Sequence, residues 1–409
     1  MEFALPEFLN AFRSVTRQYR RSLFGILAVA FGVIAMTLAT GFIEWILWAT
    51  REGTIQNGLG HVQVMRPGYL VSGQANPSTY LLPPNSAEQA AIAAHPTVRA
   101  IAPRLAFSGL ISHGEATISF VGEGVEPEAE KVVSKALEIA AGMNLSAEDP
   151  FGIIVGVGLA QALGVKPGDV VVLLANTPSG GINAVEGKIR GLFSTISKDY
   201  DDSALRVPLA LSQKLLRVSG AHRWILAFDD TAHARATTEA LRTRFQPTGF
   251  EFLPWYDLAD FYNKAVALLS RQIQVVRLII AVIIILSISN TMMMSVLERT
   301  AEVGTCMALG HTTRMILRKF LYEGLAIGLI GGIVGLALAW ALATAISAIG
   351  IPMPPPPGMS KGYSGEIVFT WGLAVGALAL ALATTLLSSL YPAWRASRMN
   401  IVDALRHSR

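Results

Sequence analysis

Four long stretches of the chain carry no charge. Leu23 to Ile43 is 21 residues, Leu278 to Leu297 is 20, and Ile367 to Leu390 is 24. A fourth run opens at Gly324 and turns proline-rich before Lys361. A helix needs about 20 apolar residues to cross about 30 Å of hydrocarbon, and each run reaches that length. Buried core helices seldom run so far without a charge, so four transmembrane helices are predicted. The first run is too long for a signal-peptide core and has no A-x-A cleavage site, so it reads as an uncleaved anchor.

Between the first and second runs the pattern changes to short alternating segments broken by turns. His61 to Met65 alternates and stops at Pro67-Gly68. Thr117 to Val121, Phe151 to Val155 and Val170 to Leu174 read as strands. Ala87–Ala94, Glu128–Ala140 and Ala232–Arg244 read as helices, and Leu159–Leu163 as a helical turn. The predicted fold class is therefore an α-helical membrane protein with four transmembrane helices and an α+β extracytoplasmic domain inserted between helices 1 and 2. The expected divisions are 1–22, a cytoplasmic amphipathic segment; 23–48, helix 1; 49–264, the outer domain; and 265–297, a stalk with helix 2. They continue with 298–315, a cytoplasmic helix; 316–348, helix 3; 349–366, an outer proline-rich loop; 367–391, helix 4; and 392–409, a cytoplasmic tail.

Composition agrees, with 52% hydrophobic and 15% charged residues, against about 25% charged in average proteins. Charge placement sets the orientation. Arg13, Arg17, Arg20 and Arg21 precede helix 1, Arg299, Arg314, Arg318 and Lys319 follow helix 2, and Arg395, Arg398, Arg406 and Arg409 follow helix 4. The 346–366 loop has only Lys361. By the positive-inside rule the three basic segments share the cytoplasmic side. The outer domain holds 18 Lys and Arg against 21 Asp and Glu from Arg51 to Lys264. The basic edges suit anionic lipid, and nucleic acid is not an expected partner. Trp45, Trp48 and Trp371 fall near the outer ends of their helices.

Arg271 and Arg277 precede the second apolar run. An arginine at mid-membrane is costly, so helix 2 is expected to begin as a stalk near Leu258 and enter the bilayer around Leu278. Glu44 is expected to reach the headgroups, with Arg271 or Arg277 as partner. Helix 3 carries Gly324, Gly328, Gly331, Gly332 and Gly335. Small residues four apart let helix backbones approach closely, either within the chain or across a dimer. The runs hold almost no interior charge, so no polar pore row is expected.

Familiar catalytic chemistry is missing. The sequence has no G-x-x-x-x-G-K-[ST], G-x-S-x-G, H-E-x-x-H or C-x-x-C motif. Cys306 is the single cysteine. Gly156-Val157-Gly158 lacks the third glycine of a dinucleotide fingerprint and reads as a tight strand-to-helix turn. Asp199, Asp201 and Asp202 read as a solvated turn rather than a cation site. No metal site, catalytic residue or cofactor is expected on this chain.

The segment Glu298-Arg299-Thr300-Ala301-Glu302-Val303-Gly304-Thr305-Cys306-Met307-Ala308-Leu309-Gly310 is the most informative. Val303, Met307, Leu309 and Gly310 make an apolar strip, with Glu298, Arg299 and Glu302 on another side. A short amphipathic helix at the membrane surface follows, and its two acids favour a partner groove over anionic lipid.

This run resembles the coupling-helix signature of ABC transporter permeases of the FtsX, MacB and LolC/LolE family. Tyr391-Pro392-Ala393-Trp394-Arg395-Ala396-Ser397-Arg398 through Val402-Asp403-Ala404-Leu405-Arg406 resembles the family's closing motif, with Ile401 where proline is usual. Gly60–Val64, Ile154–Ala160, Leu163–Val165 and Gly168-Asp169 are similar to its MacB-like periplasmic core domain. The resemblance implies a non-enzymatic permease in the bacterial inner membrane, with ATP and Mg²⁺ on two copies of a cytoplasmic ATPase. It implies a second permease copy or paralogue, contact with membrane lipid, and a periplasmic carrier or adaptor. Residues Glu298, Arg299, Glu302, Val303, Gly304, Met307, Ala308, Leu309 and Gly310 would couple to the ATPase. Lipoprotein or lipid extraction is the favoured task. MacB-like export of small molecules or peptides and FtsX-like signalling to a periplasmic partner are the alternatives. The proline run from Pro354 to Pro357 is stiff and extended, and reads as a brace at the outer surface or a spacer.

Overall fold

The structure is a computed structural model that describes residues 19–73, 76–135, 137–195, 197–245, 249–353 and 363–399. Arg13, Arg17, Arg406, Arg409, the Pro354–Pro357 run and most of the closing motif from Val402 on lie outside them. The chain divides into a helical unit (1–47, 265–352, 364–409) and a sheet unit (48–264, 353–363).

Among the described residues, four helices are long and apolar enough to cross a membrane: α1 (Tyr19–Thr54), α7 (Asp260–Glu298), α9 (Thr313–Ile349) and α10 (Trp371–Ser397). A short α8 (Thr300–Ala308) separates α7 from α9. Helix 2 begins at Asp260, close to the expected Leu258. The apolar core of the helical unit joins Val29 and Val33 of α1, Ile284 and Ile288 of α7, Phe320 and Ile327 of α9, and Ala377 and Ala381 of α10. Leu278, Ile279, Val282, Ile283 and Leu286 of α7 stay exposed. An apolar face turned away from the core is what a lipid-facing helix presents, because hydrocarbon takes the place of protein there.

In the sheet unit the strands are β1 (Val62–Met65), β2 (Val98–His113), β3 (Ala116–Val125), β4 (Glu138–Gly142), β5 (Gly152–Gly156), β6 (Val170–Asn176), β7 (Ile182–Ser194), β8 (Ala204–Pro208), β9 (Arg223–Phe228) and β10 (Glu251–Pro254). Its longer helices are α2 (Ala87–Ala93), α3 (Pro127–Val133), α4 (Val157–Leu163), α5 (Leu209–Leu216) and α6 (Ala234–Phe245). Six strands pair in a closed circuit, β2–β3–β8–β5–β7–β6 and back to β2. Their apolar side chains, including Leu105, Phe120, Ile153, Val171 and Val207, form one core with Leu159 of α4 and Leu215 of α5. A second layer runs β10–β1–β9–β2. Val64, Trp224, Leu226 and Phe252 pack there against Ile92 of α2 and Leu241 and Phe245 of α6. The 16-residue β2 belongs to both layers.

Two local expectations change. The helix expected over Glu128–Ala140 stops at Val133, and Glu138–Gly142 instead pairs with β7 as an edge strand. Ser134 leaves helical geometry (φ −104°, ψ 58°), and its hydroxyl donates to the Glu130 carboxylate. β1 was expected to alternate, yet all four of its residues are buried, because it lies between β9 and β10 with both faces covered.

Candidate coupling site

α7 ends at Glu298, and Arg299 (φ −97°, ψ 14°) breaks the helix before α8 starts at Thr300. The Thr300 hydroxyl donates to the Leu297 carbonyl at 2.7 Å and the Val296 carbonyl at 3.2 Å across this break. α8 ends in a glycine cap. Gly310 takes φ +97°, its N–H donates to the Met307 carbonyl at 3.1 Å, and His311 N–H donates to the Cys306 carbonyl at 3.1 Å. This paired pattern terminates a helix where a left-handed residue turns the chain, and glycine takes that conformation without Cβ strain. The chain then re-enters a helix at Thr313.

α8 has two sides. Val303 is buried in the core of the helical unit with Val296, Ile316 and Phe320. Gly304 is buried, and Met307 and Cys306 are half-buried. Glu302, Thr305, Ala308, Leu309 and Gly310 are exposed, Leu309 at 78%. The apolar strip expected from sequence is therefore divided. Val303 and Met307 seat the helix, while Leu309 points away from that seat.

Arg299 departs from the surface placement read from sequence. It is 7% exposed, and its guanidinium Nη1 donates to Glu323 Oε2 of α9 at 3.1 Å. Glu323 is 4% exposed. The expectation of almost no interior charge is corrected here: a buried ion pair lies where α7, α8 and α9 meet. Removing one member of such a pair costs about 3–5 kcal/mol, because the other charge stays desolvated. Neither residue signals this in sequence. They lie 24 positions apart, and each reads as the charged edge of an apolar run.

The glycines of α9 face two neighbours inside the chain. A Cβ on Gly324 would collide with Ser389, and one on Gly328 with Thr385, both of α10. At Gly332 a Cβ would fall 2.6 Å from Leu378 of α10. On the adjoining face, a Cβ on Gly331 would fall 2.8 Å from the Ile26 carbonyl oxygen, and one on Gly335 2.8 Å from that of Ala30, both on α1. Thr385, Ser388 and Ser389 are buried, and their hydroxyls bond back to carbonyls of their own helix. Polar side chains thereby pack against glycine without orphaned donors. Arg271 and Arg277 are exposed along α7. Glu44 of α1 is half-buried.

The sheet unit holds an ionic cluster that sequence reading missed. Arg104 of β2 donates to Glu130 of α3 and lies 3.5 Å from Glu123 of β3. Arg206 of β8 donates to Glu130 at 2.9 Å and lies 3.6 Å from Glu123. Arg223 of β9 also pairs with Glu123. Burial pushes the Glu123 carboxyl up, but the guanidiniums of Arg104, Arg223 and Arg206 outweigh it and bring it to about 2. Burial likewise opposes ionisation of Glu130, and Arg104 and Arg206 lower it overall. The cluster ties the closed six-strand circuit to the second layer. Nearby, Asp201 is buried and accepts from the Thr195 backbone N–H at 2.9 Å and its hydroxyl at 2.7 Å. Gly156 and Gly158 admit the backbone of Asp201 and the side chain of Asp202, since a Cβ on either would collide with them. Close approach explains these two glycines.

Among the described residues, four membrane-competent helices, a short helix between the second and third of them in the chain and a mixed sheet domain inserted after the first are the frame of a multi-helix membrane protein. Residues 22–244 match the model of the MacB-like periplasmic core domain, and residues 275–401 that of the FtsX-like permease C-terminal domain. The chain belongs to the family of ABC transporter permeases built from these two domains. An uncharacterized ABC transporter permease of Methanocaldococcus jannaschii is 27% identical over 66% of this chain and 65% of its own length. The lipoprotein-releasing system transmembrane protein LolE of Haemophilus influenzae is 25% identical over 76% of this chain and 78% of its own. The macrolide export ATP-binding/permease protein MacB of Nitrobacter winogradskyi is 28% identical over 62% of this chain but only 38% of its own. The chain thus spans slightly under two thirds of the archaeal relative and well under half of the MacB relative. The solved periplasmic region of MacB from Actinobacillus actinomycetemcomitans superposes with a TM-score of 0.37 at 13% identity, over 51% of this chain and 94% of that one, a likeness too low to add to the sequence matches.

Proposed function

We propose that the chain is the non-enzymatic membrane subunit of an ABC transporter, and that α8 is where a separate cytoplasmic ATPase docks. The single observation that carries this is the two-sided character of α8. One side is anchored in the helical unit through Val303 and Gly304, and the other presents Glu302, Thr305, Ala308 and Leu309. An exposed leucine beside an acid suits a protein groove better than anionic lipid. Two ATPase copies would bind ATP and Mg²⁺. Both termini of the chain and α8 would be cytoplasmic, with the sheet unit in the periplasm of a bacterial inner membrane. A second permease, identical or paralogous, would complete the assembly.

ATP can drive such a machine only by binding one conformation better than another. Closure of the ATPase would move α8. The shift would pass into α7, which is helical without a break from Asp260 to Glu298. The sheet unit would then release, hand over or extrude a substrate, with a periplasmic carrier or adaptor receiving it. Lipoprotein or lipid extraction is the favoured task. What supports it is the match to a lipoprotein-releasing protein over 78% of that protein's length.

Reversing the charge at exposed Glu302 with Glu302→Lys is expected to uncouple ATP hydrolysis from transport while leaving membrane insertion intact. Gly304→Trp is expected to do the same by unseating the buried side of α8. Normal coupling in both variants would sink the docking assignment. For the substrate, the chain trapped with its ATPase without nucleotide is expected to retain acylated protein or lipid. A soluble peptide or small molecule recovered without lipid would instead favour MacB-like export. Recovery of a periplasmic enzyme alone would favour FtsX-like signalling.

A further inference from the structure

We infer that the buried Arg299–Glu323 pair is a positioning device that fixes the orientation of α8 and makes it move together with the inner end of α9. This rests on the reading of α8 as the docking helix. The pair itself is independent of that reading.

Arg299 occupies the single-residue break between α7 and α8, where the helical geometry is interrupted. Its guanidinium is held at 3.1 Å by Glu323. Glu323 is in turn fixed, because the next residue, Gly324, lies against Ser389 and locks that turn of α9 to α10. A chain of close contacts therefore runs from the break, through one ion pair, into the α9–α10 packing. Val303, four residues along, buries itself in the same core and supplies a second point of attachment.

An ion pair at this position does something an apolar contact cannot. Apolar side chains of similar volume often seat a helix as firmly as a buried ion pair, and they slide without large penalty. A buried guanidinium and carboxylate resist sliding, because each small separation leaves two desolvated charges less well matched. The energy rises steeply with rotation of α8, so the helix is either held in its seat or fully released. A push on the exposed side of α8 is then delivered to α9 rather than absorbed at the break. Arg299 and Glu323 are thus positioning residues, acting through α8.

The test uses the full chain in lipid nanodiscs, with Cys306→Ser and spin labels at Thr305→Cys on α8 and Leu338→Cys on α9. The native pair is expected to give one narrow distance distribution. Arg299→Gln with Glu323→Gln removes both charges and is expected to broaden the distribution. The swap Arg299→Glu with Glu323→Arg is expected to narrow it again. In parallel, stimulation of ATP hydrolysis by the chain is expected to fall about tenfold in the neutral double variant, within the range of site-to-site couplings, and to recover in the swap. An unchanged narrow distribution in the neutral variant overturns the proposal. If that variant does not insert, the swap decides: a narrow distribution supports the pair's role, and a broad one in an inserted chain overturns it. Failure of the docking reading looks different. There Glu302→Lys leaves stimulation untouched while the distance distribution still follows the pair.

Discussion

Glu123 and His222 lie in one sheet unit, yet acid acts on them in different pH ranges. His222 accepts the Ala106 backbone N–H through Nδ1 at 3.1 Å and stacks on Tyr69 at 5.3 Å. Burial lowers its pKa and Arg223 lowers it further, against a bond to the Pro77 backbone, to about 4. Unfolding returns it to 6.5. Between those values the unfolded chain binds the extra proton, so stability is full above 6.5 and falls as the pH drops toward 4. Glu123, lowered to about 2 from 4.5, contributes stability that is full above 4.5 and fades as the pH drops toward 2. Thermal unfolding of the sheet unit, followed in the full chain, is expected to show acid loss in two stages. His222→Gln is expected to flatten the first stage and leave the second, and a single stage confined below 4.5 in the native chain counts against the His222 assignment. Neither stage was legible in the sequence. The partners of Glu123 lie from 19 to 100 positions away, and only strand pairing collects three arginines around it. The buried pair of Arg299 and Glu323 escaped for the same reason.

At the scale of elements, glycine spacing was the most readable signal and α9 gives it a geometric content. Gly331 and Gly335 face carbonyls of α1, while Gly324 and Gly328 face hydroxyl side chains of α10. Gly335→Leu is expected to force α1 and α9 apart and to destabilise the helical unit by about 1–3 kcal/mol, the usual cost of overpacking. Gly376→Leu on α10 serves as control, because nothing lies within 4 Å of a Cβ there. Unfolding of both variants in detergent checks the contrast, and equal stability would remove the packing role of Gly335. The spans were legible because a bilayer demands a length and a lack of charge that few other structures need. β2 was not. It contains Pro103, pairs with β9 along its first half and with β6 along its second, and buries residues on both faces, so alternation is erased. The helix expected through Glu128–Ala140 failed on propensity: alanine and glutamate favour helix locally, but pairing of Glu138–Gly142 with β7 prevails.

For the molecule as a whole, the decisive proposal is which side of the membrane each unit occupies. Charge bias and the exposed face of α8 support a cytoplasmic helix and a periplasmic sheet unit. The chain carries its own means of testing this, since Cys306 is its single cysteine and lies half-buried on α8. With Cys306→Ser as background, Leu309→Cys places a thiol on the exposed side of α8, and Ser179→Cys places one on an exposed turn of the sheet unit. A thiol reagent that cannot cross membranes is expected to modify position 179 from the outside of intact spheroplasts and position 309 only in inside-out vesicles. The reverse pattern would place α8 outside, where no ATP-driven partner works, and the coupling proposal would fall with it. Adding the ATPase to inside-out vesicles is then expected to protect position 309. Protection at 309 that disappears with Glu302→Lys would tie the exposed face of α8 directly to docking. Equal modification with and without the ATPase would leave Leu309 outside the docking surface and confine the helix's role to its buried seat.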